Sequence, residues 1–126
     1  GFDGTAGKLN AVTIRDRQKD ELEVIHPAGV FVFIGLTPNT RFVDAAQIRL
    51  DARGFVVTGH DLVHAGNRPP GFENREPAFL ETSVPGIFAA GDLRAGSTKQ
   101  VASAAGEGAT AALLIREYLK HGALSA

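Results

Sequence analysis

GIFAAGDLRAGSTKQVASAAGEGA, running from Gly86 to Ala109, decides how this chain is read. A short apolar run ends at a single aspartate, Asp92. A loop follows, and then a stretch built almost entirely of Ala, Gly, Ser and Val. Buried strand, loop and helix form the unit at whose carboxyl end ligands bind in α/β proteins. The first backbone N–H groups of such a helix have no intrahelical partner, and the helix dipole adds positive potential. A carboxylate beside them accepts hydrogen bonds from hydroxyls and repels phosphate. The local chemistry therefore suits a polyol-bearing ligand with an electron-rich group over the helix start. Ala104, Ala105, Gly106, Gly108, Ala109, Ala111 and Ala112 let this helix approach a neighbour or a flat ligand closely. Its glycines cost roughly 1 kcal/mol each relative to alanine, which suggests that the close contact is needed. Plain helix–sheet packing, with Asp92 as a loop cap, explains the residue pattern equally well.

Downstream, Lys99–His121 reads as one long helix. Val101, Ala105, Gly108, Ala112, Ile115 and Leu119 recur at three- and four-residue spacing as its apolar face. Ser97 or Thr98 is the expected N-cap, and Gly122 the expected stop. Upstream, Leu9–Arg15 and Glu21–Ile25 alternate apolar and polar residues about a polar Asp16–Asp20 turn, which predicts an antiparallel hairpin. Gly1–Gly7 has too much glycine to hold regular structure unaided. Gly29–Gly35 (GVFVFIG) carries the signature of a strand buried on both faces, and Gly86–Ala90 reads as a second one. Leu50–Thr58 reads as strand, turn, strand with Gly54 at the bend. Phe42–Ile48 is a candidate helical turn, Phe79–Thr82 a brief strand, and Gly59–Pro77 a long surface loop. The fold class is α/β, with a β-hairpin, buried strands and a long C-terminal helix.

Composition narrows the function. Net charge is -1 over 126 residues with no basic patch, which speaks against nucleic acid as a partner. The apolar runs are too short to span a membrane, so a cytoplasmic location is the default expectation. Cysteine is absent, which removes a disulfide scaffold, a thiolate metal site and a dithiol redox centre from this chain. Methionine is absent too, as in a processed or excised piece. His60 and His64 have i,i+4 spacing but sit among turn formers, and read as incidental loop residues; no metal site is expected.

Thr82–Asp92 (TSVPGIFAAGD) followed by KQVASAAGEGATAA resembles the C-terminal FAD-binding stretch of the thioredoxin reductase family of flavoproteins. The family pattern T-x-x-P-G-I/V-F/Y-A-x-G-D is complete at every position. GVFVFIGLTPNT is similar to the last strand of the family's NAD(P)H domain with the linker back to the FAD domain, and the hairpin before it resembles the family's β-meander. The resemblance implies the C-terminal portion of a flavoprotein with two dinucleotide-binding domains. Residues 1–40 would be the tail of the NAD(P)H-binding domain plus linker, and 41–126 the C-terminal part of the FAD-binding domain.

It also implies roles by position. Asp92 would accept a hydrogen bond from the ribityl chain of FAD, and Gly91 would let the backbone come close. Gln100 and Val101 would present backbone N–H groups to the O2 edge of the flavin, where the helix dipole favours charge on the reduced ring. Lys99 would lie beside the flavin or a partner domain, or be a solvated residue of the first turn. No catalytic acid, base or nucleophile is expected among these residues. NAD(P)H would be the reductant, and a disulfide, such as that of a thioredoxin-like protein, the acceptor. A ferredoxin-NADP reductase-like flavoprotein is the alternative within the same fold. The long Gly59–Pro77 loop resembles a subgroup fused to a cyclic-nucleotide-binding domain. The chain lacks the family's G-x-G-x-x-G pyrophosphate grip and its Cys pair, so alone it should hold neither cofactor tightly. By itself it is expected to be catalytically inert and to self-associate as a homo-oligomer through exposed sheet edges.

Overall fold

The computed structural model describes residues 1–43, 47–64, 66 and 68–121. The chain divides into two compact units, Gly1–Gly35 and Leu36–Ala126.

The first unit is a three-stranded antiparallel sheet in the order β1 (Phe2–Thr5), β2 (Lys8–Asp16), β3 (Glu21–Ile25). The expected hairpin is present, with β3 at its expected bounds and β2 one residue longer at each end. Val12 pairs with Ile25 and Asp16 with Glu21. Asp16 Oδ1 accepts from the amides of Gln18 (2.8 Å) and Lys19 (3.3 Å), and this shapes the turn. The Gly1–Gly7 segment departs from expectation by forming β1. Ala6 and Gly7 both take positive φ (53° and 77°), which suits a two-residue hairpin turn and returns the chain onto β2. At Gly4 a Cβ would lie 2.7 Å from the Lys8 carbonyl oxygen, so only glycine fits beside the register shift there.

Gly29–Gly35 does not form the expected buried strand. Phe31, Phe33 and Ile34 are 84%, 90% and 89% exposed, and no described residue pairs with their backbone. A strand buried on both faces needs neighbouring strands to take its N–H and C=O groups, and this unit's sheet does not include it.

The second unit is built on short pairings. Asp51 Oδ1 accepts from the amides of Arg53 (2.9 Å) and Phe55 (2.8 Å), and Gly54 turns at φ 86°. The strand–turn–strand expected over Leu50–Thr58 is thus a tight loop with one Leu50–Val56 bridge. Val56 also bridges Arg94 in parallel, donating to Leu93 O at 2.9 Å and accepting from Ala95 N at 2.8 Å. Phe79–Thr82 and Gly86–Ala90 contribute one antiparallel bridge, Glu81–Phe88, instead of full strands. The Gly59–Pro77 segment is more than a surface loop. It carries the short helix α1 (Asp61–His64), and Leu62 and Phe72 are both fully buried. Burying each such side chain contributes about 1.5–3 kcal/mol, enough to anchor the segment.

α2 (Val101–His121) is the long helix expected. Its first bond runs from Ala104 N to Gln100 O (2.9 Å), so the cap position falls on Gln100 and not on Ser97 or Thr98. Ser97 Oγ instead accepts from Lys99 N at 3.3 Å. The face turned to the unit's body holds Ala104, Glu107, Ala111, Leu114 and Tyr118, whereas Val101, Ala105, Gly108, Ala112, Ile115 and Leu119 face outward. Gly122, the expected stop, and Asp44–Ala46, within the candidate turn Phe42–Ile48, lie outside the described residues. Among the described residues no helix is long and apolar enough to cross a membrane.

Candidate functional site

The chain reaches the site from Ala90, which is extended (φ -140°, ψ 154°), and reverses at Gly91. Gly91 has φ 79°, a left-handed conformation that costs glycine little. A 3-10 turn over Gly91–Leu93 follows, closed by Arg94 N donating to Gly91 O at 3.1 Å. Asp92 sits at its centre, exposed, and no described residue donates a hydrogen bond to its carboxylate in this structure. The loop-cap role that the sequence left open therefore has no hydrogen bond to support it.

Asp92 borders a cleft of about 390 Å³ with Thr37, Pro38, Asn39, Phe42, Phe55 and Leu93 among its walls. The walls are mostly apolar, and Asn39, Thr37 and the carboxylate supply polar groups. An apolar cleft with a few fixed acceptors and donors suits an amphipathic ligand.

Lys99 is partly buried. Its Nζ donates to Arg94 O at 2.5 Å and stands 4.2 Å from the centroid of the Phe55 ring. Burial pulls its ammonium below the usual lysine range, opposed by the charge of Asp92. Its backbone is left-handed (φ 58°), a strained choice for lysine that carries the chain from the loop into α2. Gln100 and Val101 are exposed at the start of α2, Val101 at 88%. The amides of Val101, Ala102 and Ser103 precede the first helical hydrogen bond and have no helical partner. The structure thus gathers Asp92 and, through Phe55, Lys99 at the cleft. Gln100 and Val101 are not among the cleft's lining residues.

Gly91 is also held from the side of the helix. Its amide donates to Glu107 Oε2 at 2.7 Å, and a Cβ on it would stand 3.4 Å from Ala104 Cβ. Here the slender helix lies close against the turn. Sequence reasoning missed Arg94 and Glu107, whose side chains are only 8% and 10% exposed and whose Nη2–Oε1 separation is 2.5 Å. The available signal was Glu107 itself, one carboxylate in a helix segment of small residues. Arg94 is the chief cause that holds Glu107 below the usual carboxylate range, with the Gly91 amide adding to it. Among the described residues, no cluster of three or more His, Asp or Glu side chains is arranged to hold a metal ion. His60 and His64 contact each other, Nδ1 to Nδ1 at 2.8 Å.

Residues 2–108 match the family model described as pyridine nucleotide-disulphide oxidoreductase. The chain is 38% identical over 112 residues to an NADH dehydrogenase of Ferdinandcohnia aciditolerans, covering 89% of this chain and 18% of that protein. It is 35% identical over 111 residues to a thioredoxin reductase of Chlamydia pneumoniae, covering 88% of this chain and 30% of that protein. Among solved structures, the thioredoxin reductase of T. acidophilum matches with a TM-score of 0.58 at 34% identity, over 94% of this chain and 33% of that one. The chain therefore spans between about a fifth and a third of the length of the proteins it matches.

Proposed function

Since this chain belongs to the pyridine nucleotide-disulphide oxidoreductase family, we propose that it is the C-terminal part of an FAD-dependent NAD(P)H oxidoreductase of the thioredoxin reductase type. In this reading residues 1–40 are the tail of the NAD(P)H-binding domain plus linker, and 41–126 the C-terminal part of the FAD-binding domain. The observation that carries it is the Asp92 carboxylate, exposed at the centre of a turn, with no described donor and with an apolar cleft beside it. That acceptor set fits the hydroxyls of a ribityl chain and rejects a phosphate. Gly91 lets the turn form, and Lys99 adds positive charge close to Asp92. The amides of Gln100, just before α2, and of Val101, its first residue, supply donors and dipole potential for an electron-rich ring edge.

When bound, FAD supplies hydride and electron transfer. The contribution of this chain is to bind, orient and electrostatically bias that group. It holds no cysteine, so a redox-active dithiol, where the full protein uses one, is supplied by other residues. A thioredoxin-like disulfide is the acceptor in this reading. A second reading is favoured by the exposed Val30–Ile34 segment: the chain in isolation associates with further copies of itself through that unpaired, uncharged stretch.

The test is Asp92→Asn in the full-length flavoprotein, with bound flavin read from visible absorbance. Loss of one charge-assisted hydrogen bond, about 1.5–3 kcal/mol, corresponds to FAD binding weaker by about 10- to 150-fold. Flavin content and affinity equal to the parent's would remove Asp92 from the site.

A further inference from the structure

We infer that Glu107 is a positioning residue, which fixes the Gly91–Leu93 turn in the shape that presents Asp92 to the flavin; this rests on the reading above. Glu107 lies between Gly106 and Gly108 in α2 and points into the unit's body, its side chain 10% exposed. Oε2 accepts from Gly91 N at 2.7 Å and from Arg94 Nε at 3.1 Å. Oε1 accepts from Arg94 Nη2 at 2.5 Å. Gly91 and Arg94 are the residues whose backbones close the turn, Arg94 N to Gly91 O. One carboxylate on a neighbouring helix thus grips both ends of a turn that has Asp92 at its centre.

The surroundings make this grip specific. Arg94 is itself held, donating to Ala95 O at 3.0 Å and lying over the Phe79 ring at 5.1 Å from its centroid. Ala104 leaves α2 close enough for Glu107 to reach the Gly91 amide. A buried ion pair alone is weak evidence for a stabilising role, because desolvation offsets much of the attraction. The directed bond to Gly91 N is what a positional role requires and a generic charge pair does not. Among the described residues none donates to the Asp92 carboxylate, so its placement depends on the backbone around it.

The experiment is a double-mutant cycle on FAD binding in the full-length flavoprotein. Apoprotein is titrated with FAD for the parent, Glu107→Gln, Asp92→Asn and the double variant. Gln keeps the shape of Glu107 and one acceptor while removing the charge that organises Arg94. Glu107→Gln should weaken FAD by about tenfold, as expected for loss of a charged hydrogen bond at one remove. The double variant should bind within about twofold of Asp92→Asn alone, because Glu107 acts through Asp92. Effects that multiply would overturn the inference, since an independent structural role would add to the loss of Asp92. Weakening by Asp92→Asn with none from Glu107→Gln would overturn this inference and leave the flavin reading standing. Weakening by Glu107→Gln with none from Asp92→Asn would remove Asp92 from the flavin site, and this inference with it. If Glu107→Gln does not fold, the neutral pair Arg94→Gln/Glu107→Gln strands neither charge, and its cycle with Asp92→Asn is read by the same outcomes.

Discussion

Glu81→Gln should cost the protein about 2.5–4 kcal/mol at neutral pH, a value that follows from the lost partners. Glu81 immediately precedes the Thr82–Asp92 stretch and is completely buried. Its Oε1 accepts from Arg75 Nη2 (2.6 Å) and Gly86 N (2.9 Å), and its Oε2 from Arg75 Nη1 (2.7 Å) and Ala78 N (2.9 Å). Gln replaces one of these oxygens with an NH₂ group, which then faces two donors. One charged hydrogen bond is lost, worth about 1.5–3 kcal/mol, and one buried amide is stranded at about 1–3 kcal/mol. The Arg75 side chain is 38% exposed and can turn to water, which holds the total to the lower part of the summed range. Burial alone would raise the Glu81 carboxyl, but Arg75 and the amides of Gly86 and Ala78 outweigh it and hold it below the usual range. A carboxyl lowered on folding stabilises above its unfolded pKa and loses that contribution as pH falls through its folded value. The gap between parent and Glu81→Gln should therefore be full at neutral pH and close with acidification below the ordinary carboxylate range. Urea denaturation followed by circular dichroism, repeated across pH, reads both quantities. Equal stability at neutral pH, or a gap that does not narrow in acid, would refute the reasoning.

Two further outcomes follow from the same geometry. Gly86→Ala should destabilise, since φ is 80° there and a Cβ would stand 2.9 Å from ring atoms of Tyr118. The left-handed backbone alone costs about 1–2 kcal/mol, so in a Tyr118→Ala background only that part should remain, and equal costs in both backgrounds would count against the clash. Phe31→Asp/Phe33→Asp should lower the sedimentation coefficient of the isolated chain and remove its concentration dependence, because both rings are exposed and stacked on each other, 6.2 Å between centroids. A parent chain that sediments as a compact monomer would contradict this.

What could be read from the sequence was what is determined locally. The β2–β3 hairpin follows from alternation and from an aspartate able to take two amides in its own turn, so its register needed no distant information. α2 was equally legible, because twenty-one residues of helix-compatible chain without proline leave few alternatives. Gly29–Gly35 was misread for the complementary reason. A continuous apolar run describes the environment a segment needs, and whether it becomes a strand depends on partners that the segment does not encode. At the site, Asp92 was visible because a lone carboxylate after an apolar run is a local anomaly. Arg94 and Glu107 meet across a separation of thirteen positions and had no local signal except the oddity of a buried charge among glycines.

The orientation of α2 is the error with the most to say about function. Periodicity picked out one apolar face, from Val101 to Leu119, whereas the body of the unit takes the face that carries Glu107 and Tyr118. The other face holds Val101 at 88% and Leu119 at 63% exposure, with Gly108 between them. A Cβ at Gly106 or Gly108 would meet nothing within 4 Å among its surroundings. Two glycines at about 1 kcal/mol each are thus unexplained by packing within the described residues, while Ala104 against Gly91 accounts for the one close approach that is present. Bare apolar surface on a helix whose first amides are unpartnered is the pattern expected where a further layer of protein, or a flat ring, lies against it. The proposed flavoprotein supplies both. In that proposed flavoprotein the two faces would divide the work: the inner one, through Glu107, would fix the turn that carries Asp92, and the outer one would receive the further layer.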